Sequence, residues 1–448
     1  MAHSIKRIRT LALVGQAGCG KTSLAEALLA KSGSVPPGGS VERGSTVCDY
    51  HPLEKQLQHS LKLAVASFES QDTRIHLLDT PGYPDFLGHA LPALAAVETA
   101  AVVINAQNGI EMMTPRFMQW AAKRGLDRLL IVNKIDADNV DCEALLERIQ
   151  QVFGKECLPL NLPAGKRSRV SDCFFAPSGE ADFSSVDEAH RKLVDQVVEV
   201  DEQLMAAYLE KGEVTPEELH EPLERALREG HLIPVVFTSA KTGAGIAELL
   251  EVIVRLLPNP AEGNPPAYIS VPAGGGEPAD LQPIPDPGRH VLAHVFKIEI
   301  DPYIGRLAVF RVHQGRVTPG TQLYIGDGRK PVKAGHLFLL KGKQQTEVSE
   351  GLPGDILAVA KIDEIQFDHI LHDSASDAQV HARPLELPVP VFGLAVQSKK
   401  RGDEQKVSDV LHKIIAEDPC FRIEHNAQAN ETVMRGLGEI HLKAVLEK

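Results

Sequence analysis

The sequence predicts three consecutive folding units: an α/β domain with a mostly parallel sheet, an antiparallel β-barrel and an α+β domain. Three observations carry this prediction. Apolar runs of strand length alternate with helical segments over residues 1–258, which is typical of parallel strands covered by helices on both faces. Short strand-like runs separated by turn residues occupy residues 290–385. From residue 388 onward the order of elements is β-α-β-β-α, a ferredoxin-like arrangement.

The first domain, residues 1–258, is predicted from its apolar strands. They read "LALV", "RIHLLD", "AAVVINA", "RLLIVNK" and "IPVVFTSA", with helical stretches such as "KTSLAEALLA" and "GIAELLEVIVRLL" among them. A strongly acidic, helical segment interrupts the alternation at about residues 155–230, and we interpret it as an insertion between the last two strands. The pattern indicates a doubly wound α/β domain.

A linker and two smaller domains follow. Residues 259–289 are dense in proline and glycine and lack periodicity, which predicts a linker. Residues 290–385 are predicted to form the barrel, and residues 388–448 the ferredoxin-like third domain. Because the sequence stops inside a predicted helix, we expect this third domain to be truncated at its C-terminal end.

The composition of the 448-residue chain argues against several classes of protein. No stretch of about 18 apolar residues is free of charge, so no membrane association is predicted. The formal net charge of −13 argues against DNA binding through bulk charge. Six cysteines, none in a C-x-x-C pair, fit a reduced intracellular protein. We expect a cytoplasmic protein that acts as a monomer.

The strongest motif is "GQAGCGKT", which follows an apolar strand and opens a helix. Its glycines let the chain wrap closely, so that backbone N–H groups and the helix N-terminus point at phosphate oxygens. Lys21 is predicted to reach the β- and γ-phosphates, and the Thr22 hydroxyl to bind Mg²⁺. The predicted phosphate-binding residues are Gly15, Gln16, Ala17, Gly18, Cys19, Gly20, Lys21, Thr22 and Ser23.

A second motif, "DTPG", follows the strand "RIHLLD" and begins 57 residues after Thr22. An aspartate at the end of the strand beside a P-loop orients a water on Mg²⁺, which predicts that role for Asp79. The backbone N–H of Gly82 is placed to meet the γ-phosphate.

A third motif, "NKID", directly follows another apolar strand. The Asp136 carboxylate can accept two hydrogen bonds from guanine, whereas adenine would leave it unpaired. Asn133 can bridge the base and the P-loop, and the Lys134 stem can cover the ring. The "SAK" segment is predicted to support the base from its other side; it consists of Ser239, Ala240 and Lys241.

The ordered set of these motifs predicts a domain that binds GTP or GDP with Mg²⁺. An ATPase or small-molecule kinase is the competing P-loop interpretation. The predicted fold class is therefore an α/β P-loop GTPase domain with a helical insertion, followed by an antiparallel β-barrel and a ferredoxin-like α+β domain.

With these residues the chain resembles bacterial elongation factor G and its paralogues, the elongation factor G-like proteins. The stretches "DPYIGRLAVFRVHQGRVTPG", "AEDPCFR" and "GLGEIHL" extend the resemblance through the barrel and the third domain. The resemblance implies a GTPase that acts on the ribosome, with rRNA and ribosomal proteins as partners. It also implies two further C-terminal domains, which have no counterpart in this sequence.

The resemblance leaves two candidates for the Mg²⁺-binding hydroxyl of the switch loop, which we define as residues 39–60. Thr46 lies in "VERGSTV", which is similar to the family's E-R-G-I-T segment, but it stands 33 residues before Asp79. The family's threonine stands nineteen residues before that aspartate, and this spacing leads to Ser60. We favour Ser60. A serine at this position resembles the elongation factor G-like branch of the family more than elongation factor G itself.

Tyr83 stands where elongation factor G has the histidine that positions the attacking water. The resemblance therefore places Tyr83 beside Lys21 and Gly82 as the catalytic candidates. A neutral phenol lacks the cationic character of an imidazolium, so slow, ribosome-stimulated hydrolysis is expected. The alternatives are that Tyr83 only packs on the switch loop, that the protein is a GTP-dependent ribosome-binding switch with little or no hydrolysis, or that it is a GTP/GDP-sensing module with a non-ribosomal partner.

Overall fold

The predicted fold class is confirmed by a computed structural model that describes residues 4–211, 216–263, 268–271, 277–301, 304–374, 377, 379–398, 402–426 and 431–447. It contains an α/β domain, an antiparallel barrel and a small α+β domain in that order. Parts of the predicted linker, insertion and third domain lie outside the described residues.

The first domain contains nine strands and nine α-helices in its described part. The strands are β1 (Ile8–Val14), β2 (Ala64–Ser70), β3 (Thr73–Asp79), β4 (Thr99–Asn105), β5 (Asp127–Asn133), β6 (Cys157–Pro159), β7 (Asn161–Ala164), β8 (Arg169–Asp172) and β9 (Ile233–Phe237). The helices are α1 (Lys21–Lys31), α2 (Pro52–Leu57), α3 (Leu87–Ala90), α4 (Met113–Lys123), α5 (Cys142–Phe153), α6 (Val186–Val198), α7 (Glu202–Lys211), α8 (Pro216–Glu229) and α9 (Ile246–Arg255).

The central sheet has the order β2-β3-β1-β4-β5-β9-β6, and all of its strands except β2 run parallel. The five strands predicted from apolar runs form its centre as β3, β1, β4, β5 and β9. Two strands were not predicted: β2, which pairs antiparallel with β3, and β6 at the opposite edge. Because the carboxyl ends of parallel strands meet at one edge, the loops after β1, β3, β5 and β9 converge there.

Local sequence signals set several helix ends. The Asp141 side chain accepts a hydrogen bond from the Ala144 N–H and so caps α5, which stops at Gly154. In the switch loop, His51 and Glu54 form a reciprocal capping box at the start of α2. This short helix fixes the path of the switch loop toward β2.

The predicted insertion contains more than helices. After β6, strands β7 and β8 form a hairpin, and α6 packs against both α7 and α8. Apolar side chains of α6, such as Leu193 and Val197, are buried in the core of the first domain. The insertion is therefore packed onto the domain.

The barrel follows the range predicted as a linker. Its strands are β12 (Leu292–Asp301), β13 (Gly305–Gln314), β14 (Gln322–Ile325), β15 (Val332–Lys333), β16 (Leu337–Lys341), β17 (Gln344–Val348), β18 (Ile356–Ala360) and β19 (Ile370–His372), preceded by β10 (Tyr268–Ser270) and β11 (Ala279–Leu281) and followed by β20 (Val380–Ala382). The strands β10 and β11 lie inside the range 259–289, and β10 pairs with both β11 and β20 in a small antiparallel sheet. Tyr268 is buried there with Leu292, Ile370 and Val380, so local pairing gives part of this proline-rich range a core that its composition did not predict.

The barrel is joined to the first domain by a buried polar network and a shared sheet. Strand β16 meets β2 at Lys341 and Ala66, so that hydrogen bonding continues across the two domains. The Asp355 carboxylate accepts hydrogen bonds from Arg74 at 3.0 Å and from His76 at 3.1 Å. Burial alone would raise the pKa of Asp355, but hydrogen bonding and charge from His76, together with Arg74, bring this pKa below its usual value.

The third domain consists of β21 (Phe392–Val396), α10 (Glu404–Glu417), β22 (Arg422–Asn426), β23 (Glu431–Gly436) and α11 (Glu439–Glu447). Its strands form an antiparallel sheet of order β21-β23-β22, and the helices pack on it through Leu411, Ile414, Leu442 and Val445. No helix in the described part of the chain has the length and apolar character needed to cross a membrane.

Replacing Asp355 should weaken the contact between the barrel and the first domain. The Asp355→Ala variant leaves buried His76 and half-buried Arg74 without this shared acceptor, so we expect the free energy of unfolding to fall by about 3 kcal/mol. Urea unfolding followed by circular dichroism measures this loss. Glu347→Ala is the matched control, because Glu347 pairs with His336 on the same barrel in an exposed ion pair that contributes little. Equal losses in both variants would show that the buried network does not stabilise the chain.

Candidate functional site

The P-loop lies between β1 and α1, at the carboxyl edge of the parallel sheet. Gly20 has φ +93°, and a Cβ atom there would lie 2.5 Å from the Asn133 Nδ2. Gly15 has φ +144°, and its Cβ would lie 2.5 Å from the Val103 carbonyl oxygen. Both positions need glycine, because left-handed backbone and close approach exclude a side chain.

Lys21 is buried and turns back over the P-loop. Its ammonium donates to the carbonyl oxygens of Gly15 and Gln16, both at 3.0 Å. The same loop contains Cys19, whose thiol is fully buried; burial raises its pKa, so it is a poor nucleophile. All six cysteines of the chain are free and buried.

A cluster of hydroxyls and carboxylates lies beside the P-loop. The Thr22 hydroxyl donates to Asp79 Oδ2 at 2.7 Å and lies 3.1 Å from the Ser60 hydroxyl. Burial raises the pKa of Asp49, and the Ser60 side chain near it opposes this rise. Burial, and then the charge of Asp49, raises the pKa of Asp79 to about 7.

This cluster fits a divalent cation. Asp79 Oδ1 and Asp49 Oδ2 are both buried and have no hydrogen-bond partner among the described residues. Two neighbouring buried carboxylates repel each other unless a cation lies with them, and oxygen atoms are the ligands that Mg²⁺ prefers. The residues present therefore fit the predicted Mg²⁺, with Thr22, Ser60 and Asp79 as the predicted set.

Asp49 was not among the predicted site residues. It lies in the switch loop, eleven residues before Ser60. Sequence spacing alone gave no reason to place it next to Asp79. The structure brings the two together because α2 turns the chain between Asp49 and Ser60.

The two switch-loop candidates lie in different surroundings. Ser60 contacts Thr22, and it is held there because buried Glu54 accepts hydrogen bonds from the next two backbone N–H groups, at 3.0 and 3.1 Å. Thr46 is also buried, but its hydroxyl has no hydrogen-bond partner in the described part of the chain. Of the two candidates, Ser60 is therefore the one with a described contact to Thr22.

The "NKID" and "SAK" residues form one hydrogen-bonded unit with the P-loop. The Asn133 amide donates to the Cys19 carbonyl at 3.1 Å and accepts from the Ala240 N–H at 3.1 Å. The Lys134 ammonium donates to the Gly18 carbonyl at 2.8 Å. The Ser239 hydroxyl donates to Asp136 Oδ1 at 2.6 Å, which orients that carboxylate.

The remaining predicted residues frame this unit. Lys241 is exposed at its edge, and Ser23 is half-buried in the first turn of α1. Gln16 reaches away from the base side, and its side-chain oxygen accepts a hydrogen bond from the Met113 N–H at 3.3 Å. The structure thus brings the predicted phosphate and base residues to one edge of the sheet.

Gly82 and Tyr83 lie on different sides of the segment after Asp79. A Cβ at Gly82 would lie 2.5 Å from both the Ala17 N and the Lys21 Nζ, so Gly82 packs directly on the P-loop. Tyr83 packs instead with Leu53, Leu61, Phe86 and Ala444, and its ring centroid is 4.8 Å from that of His59. The phenol therefore lies among apolar groups of the switch loop and the third domain.

The segment that follows Tyr83 is tied to the third domain by a buried carboxylate. Asp418 Oδ2 lies 2.8 Å from His441 Nε2 and 3.3 Å from His89 Nε2. Burial alone would raise the pKa of Asp418, but the two histidines hold it well below its usual value. The His441 N–H also donates to Asp85 Oδ2 at 3.2 Å. His441 thus acts as an interface residue between the first and third domains.

Comparison with known families matches all three domains. The family model of the elongation factor Tu GTP binding domain matches residues 6–259. The models of elongation factor G domain 2 and of elongation factor G domain III match residues 290–370 and 387–448.

Comparison with individual proteins agrees with these families. The elongation factor G-like proteins of two Mycobacterium tuberculosis strains, CDC 1551 / Oshkosh and H37Rv, are 32% identical over 469 residues, covering 98% of this chain and 65% of their own length. The crystal structure of ttk003000868 from Thermus thermophilus superposes with a TM-score of 0.84 at 33% identity, covering 99% of this chain and 66% of that one. The chain thus spans slightly less than two-thirds of the length of these relatives.

Replacing Gly82 with alanine should selectively weaken the binding of GTP. The added methyl group would clash with the Ala17 N and the Lys21 Nζ, so the segment that contains residue 82 must move away from the P-loop. The backbone N–H of residue 82 would then no longer reach the γ-phosphate. We expect GTP affinity to fall at least about tenfold while GDP affinity changes little. Fluorescent analogues of both nucleotides measure the two affinities.

Gly335→Ala is the control for this substitution, because nothing lies within 4 Å of a Cβ there. Equal losses for GTP and GDP, or no loss for either, would contradict the predicted role of Gly82.

Replacing Ser60 and Thr46 separately should distinguish the two switch-loop candidates. The Ser60→Ala variant removes the hydroxyl beside Thr22, so Mg²⁺-dependent GTP affinity should fall on the order of tenfold. Ser60→Thr should restore it, and Thr46→Ala should leave it unchanged. Titrations of nucleotide at several Mg²⁺ concentrations give the comparison, and the opposite ranking would reassign the role to Thr46.

Proposed function

The chain belongs to the elongation factor family of GTPases, with the domain order of elongation factor G, and from this premise we propose that it hydrolyses GTP to GDP and phosphate on the ribosome. One observation carries the proposal. Lys21, Thr22, Asp79 and Gly82 converge on one side of the P-loop, while Asn133 ties its other side to the base-binding segment. In this proposal a phosphate site and a guanine site are joined by the hydrogen bonds of Asn133.

Each part of this unit has a chemical role in the proposal. The Asp136 carboxylate, oriented by Ser239, accepts two hydrogen bonds from guanine, which selects GTP over ATP. Lys21 leaves its carbonyl partners and binds the phosphates, and the P-loop N–H groups hold the phosphate oxygens. The Gly82 N–H donates a hydrogen bond to the γ-phosphate, which GTP has and GDP lacks. These groups position the phosphates and stabilise negative charge, which is the main requirement of phosphoryl transfer.

Thr22, Ser60 and Asp79 would hold Mg²⁺ in this proposal, with the Asp49 carboxylate near them as a further negative charge. When bound, Mg²⁺ neutralises charge on the phosphate oxygens. Asp79 and Asp49 would both be ionised for this, and a bound cation would offset the burial and the repulsion from Asp49 that raise the pKa of Asp79.

The proposed setting is the cytoplasm, with rRNA and ribosomal proteins as partners of a monomeric protein. The domain order of elongation factor G supports this setting. The acidic net charge argues against a DNA partner.

A second candidate function is a GTP-dependent switch that binds ribosomes but hydrolyses GTP slowly. The packing of Tyr83 among Leu53, Leu61, Phe86 and Ala444 favours it, because a phenol held there has no described contact with the P-loop. A GTP/GDP-sensing module with another partner is the third candidate.

Single-turnover GTP hydrolysis with ribosomes should separate the first two candidates. We expect measurable hydrolysis that ribosomes stimulate, and we expect Tyr83→His to accelerate it at least about tenfold, because an imidazole can position and assist the attacking water. Tyr324→His is the matched control, since Tyr324 also packs against a histidine, His372, but lies in the barrel. Equal rates for Tyr83→His and the wild type would remove Tyr83 as the cause of slow hydrolysis.

Ribosome co-sedimentation in the same samples completes this experiment. Pelleting with GTP or a non-hydrolysable analogue but not with GDP supports a ribosomal partner. Absence of pelleting with every nucleotide would favour the sensing module.

A further inference from the structure

A cavity of about 310 Å³ lies where the first domain, the barrel and the segment leading to the third domain meet. Leu91 and Leu94 line it from the turn after α3, and Trp120 lines it from α4. His313 of β13 and Leu385 of the connecting segment close it from the other side. None of the predicted nucleotide-binding residues lines this cavity.

Apolar and aromatic side chains form most of the wall. Trp120 and Tyr268 line the space together with Leu91, Leu94 and Leu126. Neighbouring aromatic residues fix both rings: Phe117 lies edge-on to Trp120 at 5.4 Å, and His313 lies edge-on to Tyr268 at 5.5 Å. A flat apolar body suits such walls, and the volume lies in the range typical of small-molecule sites.

Two buried nitrogen atoms on this wall lack partners. His313 is 5% exposed and Arg311 is 4% exposed, and both line the cavity. His313 Nε2 and Arg311 Nε have no hydrogen-bond partner among the described residues. The terminal nitrogens of Arg311 are different, because they bind Glu98 and Thr10 of the first domain. A buried polar group without a partner is costly. Arg311 Nε is a donor and requires an acceptor atom from a ligand, and His313 Nε2 donates to the same ligand when it carries the ring proton.

The charge of the lining favours a negative ligand. It contains four basic side chains, Lys123, Arg124, Arg311 and Arg383, and one acidic side chain, Glu386. Lys123 is paired with Glu386 and Arg383 with Asp280 at the rim. Arg124 is half-buried at the end of α4 and adds a positive charge at the cavity, on which the carboxylates of Asp368 and Glu386 act. The lining residue His294 is paired with Asp368. The His313 ring itself is neutral, since burial and then the charge of Arg311 lower its pKa well below the usual value.

We propose that this cavity is a second ligand site, which binds a small aromatic carboxylate. The aromatic body lies between Trp120 and Tyr268, and the carboxylate accepts hydrogen bonds from Arg311 and His313 and pairs with Arg124. Charged acceptors make the stronger hydrogen bonds, so a carboxylate satisfies these donors better than a neutral oxygen does. The site is independent of the nucleotide site and of the proposed GTPase activity.

Trp120 allows a direct test, because it is the only tryptophan of the chain. The probe is 4-nitrobenzoate, which quenches indole fluorescence, and its uncharged isostere 4-nitrobenzamide is the matched ligand control. We expect saturable quenching of Trp120 by 4-nitrobenzoate, with affinity for the benzamide weaker by about tenfold. The melting temperature should rise with the concentration of 4-nitrobenzoate.

Three variants locate the binding. Arg124→Gln should weaken 4-nitrobenzoate binding by about tenfold, and His313→Phe should do the same without a change of charge. Ala95→Phe should block the cavity with apolar volume alone. Arg116→Gln is the control, because Arg116 is exposed on the same helix and does not line the cavity. GDP affinity confirms that each variant is folded.

Saturable quenching that Arg124→Gln and Ala95→Phe both weaken, and Arg116→Gln does not, supports the second site. Quenching that rises linearly without saturation overturns the proposal. Equal affinity for the benzoate and the benzamide also overturns it, as does saturable quenching that none of the cavity variants changes.

Discussion

The buried carboxylate of Asp79 is the constraint around which the first domain is arranged. It ends the strand β3, accepts a hydrogen bond from Thr22 at the start of α1, and lies close enough to Asp49 for that charge to raise its pKa. Carboxylates so buried are stable as ions only with donors or a cation beside them. The P-loop, the switch loop and the strand that precedes Gly82 meet at this carboxylate. The rest of the nucleotide site follows from this meeting.

The other domains are attached to the same segment. Tyr83 stands four positions after Asp79 and His89 ten positions after it, and over this length the contacts change from the P-loop to the third domain. His89 and His441 share the carboxylate of Asp418, so a movement of this segment must carry the third domain with it or break a buried charge interaction. This physical link would convert a change at the γ-phosphate into a change of domain position.

The barrel is attached by different means, and Arg311 contributes both to this attachment and to the cavity. Two of its nitrogens bind Glu98 and Thr10 of the first domain, while its Nε has no described partner and the residue lines the cavity. A ligand in that cavity would touch the first domain, the barrel and the connecting segment at once. Its binding energy would therefore strengthen the contact between the domains.

The sequence by itself determined the fold class and the family, together with the positions of the phosphate and guanine motifs. Local patterns suffice for these, since glycines at left-handed positions, apolar strands and short motifs carry their meaning in consecutive residues. The edge strands β2 and β6 and the strands within the proline-rich range were not predictable in this way, because their pairing depends on partners distant in sequence. Only the tertiary structure decided that Asp49 lies beside Asp79, that Ser60 contacts Thr22, and that Tyr83 packs against the third domain. These are contacts between separate segments, and their energies depend on burial and distance, which a linear sequence does not contain.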